Sequence, residues 1–70
     1  MATVKVESIG PDTKHLGNNV EVAIEARTSV GKFTFRFVFP DQGSPAANEA
    51  RARSELGTLM KEALEAIQRG

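Results

Sequence analysis

Lys32-Phe33-Thr34-Phe35-Arg36-Phe37-Val38-Phe39 carries all four aromatic residues of the chain at strict two-residue spacing. Side chains on a β-strand alternate between its faces, so this spacing predicts a strand with a row of phenylalanines along one side. Such a strand needs neighbours to satisfy its backbone and a cover for its apolar face. The flanking segments supply both.

Upstream, Val20, Val22, Ile24 and Ala26 alternate with Glu21, Ala23, Glu25 and Arg27, the pattern of a half-buried antiparallel strand. Thr28-Ser29-Val30-Gly31 reverses the chain, with Gly31 free to take the positive φ that a tight hairpin demands. A one-residue slip would set the phenylalanines against charge, so the loop is expected to be even in length. With Val30 and Gly31 as its two residues, Ala26 faces Phe35, Ile24 faces Phe37 and Val22 faces Phe39, while Glu25 meets Arg36 on the other side. Each cross-strand pair of this kind adds about 0.2–1 kcal/mol.

Further upstream, Thr3 to Ile9 alternate as a first strand, with Val4, Val6 and Ser8 on one face and Thr3, Lys5, Glu7 and Ile9 on the other. Gly10-Pro11-Asp12 and Gly17-Asn18-Asn19 bring turn chemistry, and residues 10–19 read as a loop longer than most in compact domains. Loops of that length are places to look for function.

Downstream, Pro40 ends the phenylalanine strand because it has no N–H to donate. Ser44-Pro45 reads as an N-cap followed by the proline favoured at the first helical position, with Asn48 as an alternative cap. From Ala46 to about Arg69 the chain is rich in good helix formers, and Leu56, Leu59, Met60, Ala63, Leu64 and Ile67 form one apolar stripe. Glu49 with Arg53, Arg51 with Glu55, Lys61 with Glu65 and Glu65 with Arg69 sit four apart on the solvated faces. Traced backwards, the stripe runs into Arg53 and Glu49. A helix of about 36 Å against a strand of about 27 Å is therefore expected to overhang the sheet with its first turns.

The expected fold is α+β: a single domain over residues 1–70, a three-stranded antiparallel β-meander (β-β-β-α) with one C-terminal amphipathic helix on one face of the sheet. Its expected core is Val4, Val6, Val22, Ile24, Phe33, Phe35, Phe37, Phe39, Leu56, Leu59, Met60, Leu64 and Ile67. A chain of 70 residues buries only about 60% of its unfolded surface, so small domains often add disulfides, metals or oligomerisation. Here there is no cysteine and one histidine, which leaves packing or self-association and fits a reducing compartment. No basic, apolar leader opens the chain and no stretch is long enough to cross a membrane, so a cytoplasmic protein without a membrane partner is expected.

Nine Lys and Arg balance nine Asp and Glu, and the balance holds in both halves. Binding to nucleic acid through phosphates normally requires surplus positive charge. That partner is disfavoured, although a sheet of this kind backed by a helix looks like the layout of some sheet-reading DNA-binding domains. Its face would be Lys5, Arg27, Lys32 and Arg36, with no aromatic left there to stack on bases. Asp12 and His15 are the one grouping suggestive of catalysis or metal binding, and two ligands are too few for a closed zinc site. The remaining carboxylates lie on a flat sheet face among cations, without the pocket that would shift their pKa values. No enzyme, cofactor or metal is expected.

The better-founded expectation concerns the edge of the phenylalanine strand. In a meander it lies at one side of the sheet with unpaired backbone groups, and Lys32, Arg36, Pro40 and Asp41 guard it only in part. This predicts an interaction module, a homodimer or a binder of another protein, using the third-strand edge (Phe33, Phe35, Phe37, Phe39, Arg36) or the early helix. There Ala46, Ala47, Ala50 and Ala52 leave a smooth surface beside Glu49 and Arg53.

Overall fold

A glycine decides how the central hairpin closes. Ser29 and Val30 both keep negative φ, so the left-handed rotation falls to Gly31, at φ 146°, which pairs directly with Thr28. The Thr28 hydroxyl seals the turn, accepting from Val30 N at 3.1 Å and donating to the Gly31 carbonyl at 3.3 Å. In this computed structural model, which describes residues Met1–Gly70, β2 (Asn19–Thr28) and β3 (Gly31–Pro40) pair with Ala26 opposite Phe33, Ile24 opposite Phe35, Val22 opposite Phe37 and Val20 opposite Phe39. The loop is even in length, but its residues are Ser29 and Val30, so the register lies two residues from the expected one. Glu25 consequently faces Thr34, not Arg36. Both registers set apolar against apolar; the observed one pairs Gly31 with Thr28 and leaves Ser29 and Val30, both at negative φ, in the loop.

β1 (Thr3–Asp12) pairs antiparallel with the other side of β2, giving one open sheet in the order β1-β2-β3. The ladder shifts at Glu7: Val6 faces Ile24, and Ser8 already faces Ala23. A bulge of this kind inserts one residue and reverses the alternation beyond it. Ile9, expected on the outer face, therefore lies opposite Val22 on the same side as Val4 and Val6, and Ser8 moves to the outer face. The strand continues through Gly10 and Pro11 to Asp12, which shortens the expected loop of residues 10–19 to residues 13–18. An edge position tolerates the proline.

α1 (Pro45–Arg69) starts at the Ser44 cap, whose hydroxyl accepts from Ala47 N at 3.1 Å. Asn48 is not a cap. It is buried inside the helix, where Oδ1 accepts from Gln42 N at 2.8 Å and Nδ2 donates to Asp41 Oδ1 at 3.2 Å. Asp41 N in turn donates to the Asn18 carbonyl at 2.9 Å. The first turns of α1 are thus fastened to the end of β3 and to the loop after β1.

The helix covers the sheet with Ala52 and Leu56, packed against Val20, Val22, Ile24 and Phe39, with Val6, Phe35 and Phe37 partly buried around them. Ala52 is wholly buried, its small side chain letting the helix approach the strands closely. Arg51 lies over the Phe39 ring, 5.3 Å from its centroid, and closes that end of the core. Because the first turn is pinned, the excess length projects at the other end. Every residue from Gly57 to Gly70 is exposed. The expected overhang of the first turns is therefore reversed, and Leu59, Met60, Leu64 and Ile67, together with Val4 and Phe33, are exposed instead of joining the core. No helix is long and apolar enough to cross a membrane.

Candidate interaction surface

Beyond Gly57 the helix keeps the pattern of a buried element without a partner. Leu59, Met60, Ala63, Leu64, Ala66 and Ile67 share with Leu56 an arc of about 160° at 100° per residue, wider than the stripe of about 100° that a surface helix needs for its own core. Lys61, Glu62, Glu65, Gln68 and Arg69 take the opposite arc. Exposure along the apolar arc rises from Met60 at 44% through Leu64 at 55% to Ile67 at 75%.

Where the helix leaves the sheet, an apolar groove of about 370 Å³ opens beneath it. Val4 of β1, Ala26 and Thr28 of β2, Val30 of the turn, and Phe33 and Phe35 of β3 form one wall. Leu56 and Met60 of α1 form the other. No charged side chain lines it, and the Thr28 hydroxyl is already engaged in the hairpin turn. The groove follows from two features of the sequence: the hairpin carries its apolar residues past the point where Ala52 and Leu56 make contact, and the helix is anchored at the far end.

The third-strand edge is open along β3, whereas the opposite edge is interrupted by the bulge at Glu7 and by Pro11. Of the phenylalanines, Phe39 is buried, Phe35 and Phe37 are half-buried, and Phe33 alone is exposed, at the groove. Arg36 projects from the outer face to Glu21, at 3.4 Å. The early helix divides: Ala52 is consumed by the core, Ala46 and Ala50 face outward, and Glu49 and Arg53 pair at 3.1 Å.

On the outer face, Lys32, Arg27 and Lys5 converge on one carboxylate, that of Glu25, with Nζ, Nε and Nζ at 3.0, 3.3 and 3.4 Å. Glu25 is only 4% exposed although no layer covers it, because those long side chains form its cover. Contact with Lys32 holds its pKa below the ordinary value, against desolvation and with help from the charges of Arg27, Lys32 and Lys5. The candidate nucleic-acid face of Lys5, Arg27, Lys32 and Arg36 thus exists as a cluster, with each cation engaged by a glutamate.

In the loop, the Asp12 carboxylate accepts from Lys14 N at 3.4 Å and His15 N at 3.2 Å, and His15 Nδ1 lies 2.8 Å from it. The bond to His15 lowers the Asp12 pKa, and the arrangement is that of an Asx-type loop closure. Asp41 is lowered likewise, first by Gly43 N and then by Asn48. No three His, Cys, Asp or Glu side chains come together as metal ligands would.

Sequence reasoning missed Asn48 and Ala52 as contact residues, since one is polar and the other weakly apolar; their spacing of four, continued to Leu56, was the available signal. Comparison with family models, curated proteins and solved structures finds no match to this chain.

Proposed function

We propose that the chain is a small non-enzymatic interaction module of the cytoplasm that acts by self-association. The apolar half of α1, together with the groove beside it, carries this reading. Leu59, Met60, Leu64 and Ile67 with Val4, Val30 and Phe33 are large apolar side chains left between 40% and 83% exposed, and such residues gathered beside one groove mark an interaction site more often than singly scattered ones do. Withdrawing apolar side chains from water is favourable by about 25 cal/mol per Å², which is the driving force this surface offers to association. The open β3 edge offers a second surface to the same end.

Sedimentation across a range of protein and salt concentrations tests the reading. The expected result is a reversible dimer that dissociates on dilution and changes little with salt, and a monomer at high micromolar concentration overturns it. Clustering of Lys5, Arg27, Lys32 and Arg36 favours one alternative, a weak nucleic-acid binder. Titration with single-stranded and duplex DNA addresses it, since phosphate contacts weaken steeply as salt rises.

A further inference from the structure

We draw no further inference here: the strongest candidate, the apolar groove between the β2–β3 hairpin and the projecting half of α1, belongs to the surface already described, and nothing in the structure shows what covers it.

Discussion

Leu56 and Leu64 lie two turns apart on one apolar face of α1, yet Leu56 is 7% exposed and Leu64 55%. The boundary between them is where the sheet ends, and it sorts two identical side chains into different tasks. Leu56→Ala is expected to remove about 2–5 kcal/mol by opening a cavity in a core that has few other large residues. Leu64→Ala has little to lose within one chain; its destabilisation should grow with protein concentration, as linkage to a dimer requires. Urea denaturation of both variants at two protein concentrations measures the contrast.

Glu25 makes stability depend on acid. Its folded pKa lies below the ordinary 4.5 because of Lys32, with Arg27 and Lys5 assisting. Between the folded and unfolded values the unfolded chain binds more protons, so the stabilisation is complete above the unfolded value and is lost as pH falls through the folded one. Asp12 and Asp41, held below 3.8, act in the same direction at lower pH. Thermal melts should be flat from neutral pH to about pH 5 and fall below it. Glu25→Gln should melt lower at neutral pH, with three cations left facing one another, and should show a shallower acid limb.

Asn48 ties the helix to the strand before it. Asn48→Ala leaves Gln42 N without its acceptor in a partly buried position, an expected loss of about 1–3 kcal/mol. Asn48→Asp keeps an acceptor but sets a second carboxylate against Asp41, where Nδ2 now donates at 3.2 Å. The aspartate variant should be the less stable at neutral pH and should recover relative to the alanine variant as the medium is acidified. Chemical denaturation at two pH values separates them.

Two glycines should respond in opposite directions. Gly31 has φ 146°, a backbone conformation that L side chains rarely adopt, so Gly31→Ala strains the hairpin and destabilises although the added Cβ meets Phe33 only at ordinary contact distance. Gly57 lies inside α1 with open space around it, and Gly57→Ala should stabilise by about 1 kcal/mol through helix propensity. The midpoints of denaturation should move apart.

Much of this fold is legible in the sequence because local chemistry decides it. The two-residue period of Phe33 to Phe39, the hairpin before it, the meander and the amphipathic helix capped by Ser44 are set by neighbouring residues. What escapes depends on partners distant in the chain. The bulge at Glu7 has no glycine to announce it and exists only in the pairing with β2, so Ile9 changes face without a local signal. A register offset of two keeps apolar residues opposite apolar ones, so the alternation that excludes a one-residue slip does not choose between the two registers. The end at which the helix overhangs follows from Asn48 and Ala52, residues that hydrophobicity ranks low; reading the stripe by hydrophobicity assigned Leu59, Met60, Leu64 and Ile67 to a core that ends before them. The same residues form the apolar surface of the proposed interface, beside the β3 edge and the early helix to which the sequence points.

The claim that the projecting half of α1 is an interface for a second copy is tested most directly by sedimentation equilibrium of the native chain beside Leu64→Glu. The native chain should be a reversible dimer, and the variant a monomer with an unchanged helical spectrum. A native chain that stays monomeric at the highest attainable concentration, or a Leu64→Glu variant that dimerises as tightly as the native chain, would contradict it.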